Sequence, residues 1–211
     1  MKNIIKNLFV AAALLMGGAA CAAAELGKEY KLLNPPQPVS TSKIEVLEFF
    51  FYGCSHCYRL HTPLSVWTKT MPKDVELVYV PTIFRDSWEP MARTFYALES
   101  LGQQHQLHDA LYKAWNVDNK ALNEEADILD FVAPHGVDRA KFSAAYNSFS
   151  MLSKVTRSKQ MIRSYGISGT PTLIVDGKYL ITALQPADTI RVLNEVIEIA
   201  RKERSAKPKA K

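Results

Sequence analysis

An apolar run, Ile44–Phe51, is followed after only Tyr52-Gly53 by two cysteines three positions apart, Cys54-Ser55-His56-Cys57. Glu45-Val46-Leu47-Glu48-Phe49-Phe50-Phe51 has the aromatic and aliphatic density of a buried strand. Tyr52-Gly53 breaks that pattern, and Tyr58-Arg59-Leu60-His61 resumes with helical character. Cys54 is therefore expected at a helix N-terminus, where unpaired backbone N–H groups and the helix dipole favour a thiolate over a thiol. Cys57 lies one turn further in and is expected to be shielded. One cysteine can attack and the other can resolve, which is the requirement for making and breaking a small disulfide ring.

A free thiol titrates near ~8.5, and a C-x-x-C thiol at a helix start can fall to roughly 3.5–7.5. Stabilising the thiolate stabilises the dithiol, so the disulfide becomes a stronger oxidant, with about 30 mV per about 1.4 kcal/mol. His56 is expected to tune this balance by offering a hydrogen bond or positive charge to the Cys54 anion in the reduced state only. The pair is read as thiolate-rich and oxidising.

The downstream pattern places this motif in an α/β fold. Met71-Pro72-Lys73-Asp74 turns the chain from a helix ending near Thr70 into a second strand, Val75–Val80, giving a βαβ unit with a parallel pair. Pro63 lies inside the intervening helix. From about Asp86 to Tyr165 the periodicity is helical: Met91–Leu101, Gln104–Trp115, a helix capped by Asn123 and running through Val132, a helix capped by Asp138 carrying Phe142, Tyr146 and Phe149, and a long helix over Leu152–Tyr165. Strand character returns at Thr172–Val175 and Lys178–Ile181 around Asp176-Gly177, a strong hairpin signal. A final helix, about Ala187–Arg204, puts Ile190, Leu193, Val196, Ile197 and Ala200 on one face. The order predicts a small mixed sheet flanked by helices and interrupted by an all-helical insertion. The expected organisation is a leader over residues 1–24, a first fold segment over 25–85, the insertion over 86–160, and a second segment with a basic tail over 161–211.

Lys2 and Lys6 precede the apolar stretch Leu8–Met16 and then small residues to Ala24, a secretory signal pattern too short for a convincing membrane span. Export places the cysteines where disulfides persist. Cys21 leaves two processing routes open. Gly18-Ala19-Ala20-Cys21 is similar to a bacterial lipobox, which would make the product a membrane-anchored lipoprotein, although Gly18 replaces the usual large apolar residue. Ala22-Ala23-Ala24 offers ordinary cleavage and a soluble product, the favoured expectation. The net charge of +5 does not imply nucleic-acid binding, because the stretch Arg201–Lys211 carries six basic residues against one acidic. Such an end is expected to be solvated.

Ile167-Ser168-Gly169-Thr170-Pro171-Thr172 immediately precedes the hairpin, and a proline at a strand entrance can hold a cis bond. In this fold order the loop is expected against the cysteines, with the Thr170 backbone open to an extended polypeptide. Together, Phe49-Phe50-Phe51-Tyr52-Gly53-Cys54-Ser55-His56-Cys57, the helical insertion, and Gly-Thr-Pro-Thr before an Asp-Gly hairpin resemble the DsbA family of thioredoxin-fold disulfide oxidoreductases. The resemblance spans about Glu25–Arg204. It implies a periplasmic enzyme that oxidises newly exported polypeptides through a mixed disulfide, works without a cofactor, acts as a monomer, and is reoxidised by a quinone-linked membrane partner of the DsbB type. It further implies Cys54 as nucleophile, Cys57 as resolving cysteine, His56 as thiolate stabiliser, and Thr170 with Pro171 as the substrate-facing loop. Glu48 matches a buried acid beneath the redox pair, a proton acceptor for Cys57. Family members often place a lysine near this acid; Val75–Val80 contains none, and Tyr79 is expected in its place, leaving Glu48 protonated more of the time.

The nearest alternative is a periplasmic disulfide reductase or isomerase on the same fold. A zinc site from Cys54, Cys57 and His61 lacks a second C-x-x-C or paired histidine. A holdase would not need both cysteines. Trp67, Trp88 and Trp115 are read as packing residues, and of the histidines other than His56 only His61 is expected near the site.

Overall fold

The computed structural model describes residues 23–39 and 41–206. The expected leader, Cys21 and the last basic residues of the tail lie outside the described residues, apart from Ala23 and Ala24. The strands are β1 (Lys31–Leu32), β2 (Ile44–Phe50), β3 (Val75–Pro81), β4 (Thr172–Val175) and β5 (Tyr179–Thr182). They form one mixed sheet in the order β1-β5-β4-β2-β3. β2 and β3 run parallel, as a helical crossover between them requires, and β4 lies antiparallel on the other side of β2. β2 is thus an interior strand, paired along both edges.

Period-2 alternation along β2 decides what each face sees. Ile44 and Val46 pack with Leu60, Leu64, Val192 and Val196 of the helices α1 (Ser55–Thr68) and α7 (Pro186–Ala206). Leu47 and Phe49 face the other way, against Tyr165 and Ile167. Glu48 shares the face of Val46 and Phe50, so the pleat directs a carboxylate under α1 rather than into solvent.

The insertion consists of a short turn of 3-10 helix, Asp86–Trp88, followed by α2 (Glu89–Ser100), α3 (Gln104–Asn116), α4 (Glu125–Val132), α5 (Arg139–Tyr146) and α6 (Phe149–Ser164). Its core, built on Phe95, Leu98, Leu107, Leu111, Ile128 and Phe142, continues into Phe50, Tyr52 and Cys57. Helical insertion and redox motif therefore share one packed interior. α6 serves both bodies: Met151 and Val155 enter the insertion core, and Met161 reaches the sheet.

Three local expectations need correction. Asn123 does not cap α4; its N–H bonds to the Ala121 carbonyl in a turn, and the extended Glu124 holds the cap position. Phe149 does not belong to the helix capped by Asp138. The Ser148 hydroxyl accepts from the Met151 N–H and starts α6 there, leaving Phe149 exposed. The proline-bearing lead-in before β2 also contains a strand, since β1 pairs with β5 at the sheet edge.

The Asp176-Gly177 turn has positive φ at both residues, 53° and 64°. A Cβ on Gly177 would stand 2.2 Å from the Gln37 carbonyl oxygen, because the lead-in crosses the turn and Gln37 N–H donates to Gly177 at 2.8 Å. Gly177→Ala is expected to lower unfolding free energy by at least about 1–2 kcal/mol, from the left-handed backbone alone. Urea denaturation measures it, and an unchanged midpoint would contradict this geometry.

Candidate active site

Cys54 is the N-cap of α1, with an extended backbone at φ −89° and ψ 114°, and its Sγ accepts from the Cys57 N–H at 3.4 Å. No acidic residue occupies the first turn of α1, so nothing there opposes a negative charge at the helix start. Gly53 precedes it because a Cβ there would collide with the Phe51 ring at 2.5 Å. Phe51 in turn stacks on Trp88 at 3.9 Å and meets Trp115 at 5.6 Å, which gives two of the three tryptophans their packing role. Trp67 is buried against α7, its indole N–H donating to Asn194 at 2.8 Å.

Cys54 and Cys57 are both free thiols here, so the structure describes the dithiol form. Cys54 is half-buried and Cys57 is buried. The Cys54 thiol is lowered to about 5, chiefly by the hydrogen bond from the Cys57 thiol, against a burial effect that raises it. Thr170 and the backbone N–H groups of Cys57 and His56 add to the lowering. Burial first, then the hydrogen bond to Cys54, then the Cys54 and Glu48 charges, push the Cys57 thiol well up. At pH 7 the two sulfurs therefore sit in opposite states, Cys54 mainly as thiolate and Cys57 protonated.

The Thr170-Pro171 bond is cis, and the loop lies against Cys54. Thr170 meets the sulfur with two groups of opposite preference. Its carbonyl accepts from the Cys54 thiol at 3.3 Å, and its side chain favours the thiolate. A cavity of about 360 Å³ adjoins this point, lined among others by His56, Arg59, Thr170, Pro171, Ile181 and Leu184. His56 is exposed, and what lowers Cys54 from this residue is its backbone N–H.

Glu48 is 1% exposed, and its Oε1 has no hydrogen-bond partner. Burial, with a smaller contribution from the Cys54 charge, raises its carboxyl to about 8. Its register neighbour across the parallel pair is Tyr79, the residue expected where a lysine often stands. The sequence reading missed His108. It is buried on α3, shares a 2.8 Å hydrogen bond between Nδ1 and the Tyr52 hydroxyl, and lies 4.7 Å from the Tyr79 ring. The available signal was a histidine on the apolar stripe of a predicted helix, beside Leu107 and Leu111. Among the described residues, no group of three His, Cys, Asp or Glu side chains is placed to hold a metal.

With this geometry in view, comparison with known proteins is decisive. The family model of the DSBA-like thioredoxin domain matches residues 45–198. The chain belongs to the DsbA family. It is 38% identical over 214 residues to the thiol:disulfide interchange protein DsbA of Pseudomonas aeruginosa, covering 99% of this chain and all of that one. The corresponding protein of Burkholderia cepacia is 37% identical over 183 residues, covering 85% of this chain and 86% of its own. A crystal structure of the Pseudomonas aeruginosa DsbA superposes with a TM-score of 0.82 at 36% identity, covering 86% of this chain and 97% of that chain. The oxidoreductase DsbA from Xylella fastidiosa gives 0.80 at 27% identity, covering 85% and 99%. The chain is accordingly a thioredoxin-fold protein-disulfide oxidoreductase.

Proposed function

We propose that this protein is a periplasmic dithiol oxidase that donates its Cys54–Cys57 disulfide to reduced, exported polypeptides. The observation that carries this reading is the opposed state of the two sulfurs, with Cys54 lowered to about 5 and Cys57 pushed well up. A client thiolate attacks Cys54 Sγ, the bond to Cys57 breaks, and Cys57 leaves with the electron pair. The Cys57 sulfur then takes a proton from the Glu48 carboxyl. A second client thiolate attacks the client sulfur of the mixed disulfide, expelling Cys54 as the stable thiolate. The client gains a disulfide, and the enzyme is left as the dithiol.

Thr170 and Pro171 hold the client backbone beside Cys54, and the adjoining cavity receives its side chains. His56 contributes its N–H to the Cys54 anion and its ring to the cavity wall. Glu48 exchanges the Cys57 proton. A quinone-linked membrane oxidase of the DsbB type accepts the two electrons. No helix among the described residues is long and apolar enough to cross a membrane.

Equilibration of the Cys54–Cys57 pair with glutathione tests the reading. The dithiol should dominate in mixtures that leave ordinary structural disulfides intact, and the oxidised protein should introduce disulfides into reduced ribonuclease. A disulfide that resists glutathione, as structural ones below about −300 mV do, would make the protein a reductase instead.

A further inference from the structure

The cavity of about 360 Å³ beside Cys54 carries a charge that the exchange chemistry leaves unused. Arg59 follows His56 by three positions on α1, so both side chains lie on the helix face that lines it. Arg59 is exposed, and among the described residues no carboxylate pairs with it. No Asp or Glu lines the cavity, and Arg59 is its one permanent charge. Gln185, Pro186 and Thr189 also line it, so the positive end of the 21-residue α7 opens onto the same space. Asp188, the acid of that first turn, stands 3.8 Å from Arg191 and does not line the cavity. The Thr170-Pro171 loop completes the wall and is tied to β5 by the Thr182 hydroxyl, which donates to the Pro171 carbonyl at 3.3 Å. Whatever enters this space meets positive potential and no carboxylate to cancel it.

We propose that Arg59 is a specificity-determining residue that selects clients carrying an Asp or Glu two positions from the reacting cysteine. A client paired with the Thr170 backbone is extended, and period two returns the side chain two positions from its cysteine to the face that meets the enzyme. The cavity adjoins Cys54 on that face, and Arg59 is part of its wall. A guanidinium offers a carboxylate two parallel N–H bonds, and its long stem follows the wall while the charged head stays in water. A Lys or Arg in the client at the same place is repelled. Because Arg59 is exposed, the contact belongs to the rim of the client interface. Charge there governs encounter rate and salt dependence more than final affinity. Arg59 touches no reacting atom, and the exchange of bonds at Cys54 is the one given above.

This inference rests on the oxidase reading, and its test separates the two. Three dithiol peptides of one sequence carry Glu, Gln or Lys two positions before and after each cysteine, and a fourth carries the same glutamates at its ends. Each second-order rate with the oxidised protein is divided by that peptide's rate with hydroxyethyl disulfide, which removes the effect of flanking charge on the peptide's own thiols. The Glu peptide is expected to react at least about fivefold faster than the Lys peptide at about 0.01 M salt. The ratio should fall toward one at about 1 M, where the Debye length is about 3 Å. Arg59→Lys should keep most of the ratio, Arg59→Gln should bring it close to one, and Arg59→Glu should invert it. Equal rates for the Glu and Lys peptides overturn the proposal. So does a ratio that survives Arg59→Gln, or one that the end-placed glutamates reproduce, since either belongs to the field of the whole protein. A protein that oxidises none of the four peptides overturns the oxidase reading instead. The ranking is then read from the reduced protein attacking the mixed disulfides of the same peptides with 2-mercaptoethanol, and no preference for Glu there overturns the role of Arg59.

Discussion

Lowering the pH from 8 to 5 is expected to destabilise the dithiol form by about 2 kcal/mol relative to the disulfide form. Only the dithiol form carries a titrating Cys54, whose thiol falls from an ordinary value of 9.0 to about 5 on folding. A group lowered on folding contributes stability that is fully present above its unfolded value. That stability is lost as pH falls toward and through the folded one, here between about 9 and 5. The whole lowering would be worth about 5 kcal/mol at about 1.36 kcal/mol per pH unit. The sulfur is half-open to solvent, and screening there removes roughly half of it. Urea unfolding of both redox forms at pH 5, 6.5 and 8 reads the gap directly. A gap that stays flat across this range would mean that Cys54 is an ordinary thiol, and the oxidising character would go with it.

Glu48→Gln is expected to stabilise the reduced protein by about 2 kcal/mol at pH 7 while slowing disulfide exchange. The carboxyl rises from an ordinary 4.5 to about 8 in the folded state. A raised acid favours folding fully only below its unfolded value, and the advantage disappears as pH climbs toward about 8. At pH 7 the unfolded chain ionises freely while the folded carboxyl must stay protonated, which costs about 3 kcal/mol. The amide avoids that cost, but leaves its own buried polar atoms without partners, which takes back roughly 1 kcal/mol. The gain should vanish near pH 4. It should also shrink in the disulfide form, because the Cys54 thiolate supplies part of the rise. Equal stability of the variant and the parent at pH 4 and pH 8 would place Glu48 in contact with water.

The retained, destabilising carboxyl is easiest to understand as chemistry. A buried acid near pH 8 is poised to give and take a proton in the neutral range, which a buried leucine could not do.

Much of this was legible from residues close together in the chain. A strand that empties into a helix start defines the place of Cys54, and the Asp176-Gly177 turn defines the hairpin, because both depend on local backbone chemistry. The expectations that failed were also local, and failed where several residues offered the same service. Asn123 and Glu124 competed for one cap, and Ser148 opened a helix before Phe149 could extend the previous one. β1 was invisible for a different reason. Two residues carry no periodicity, and their strand exists only because β5 presents a free edge.

The proton chemistry divides along the same line. From the chain alone came the pair of thiols, the loop that faces them, and the acid on the strand beneath. The depth of Glu48, the opposed states of the two sulfurs, and the buried Tyr52–His108 hydrogen bond came only with packing. Burial and distance set these properties, and they arise from α1, α3 and β3 closing over one spot, as no stretch of consecutive residues can record.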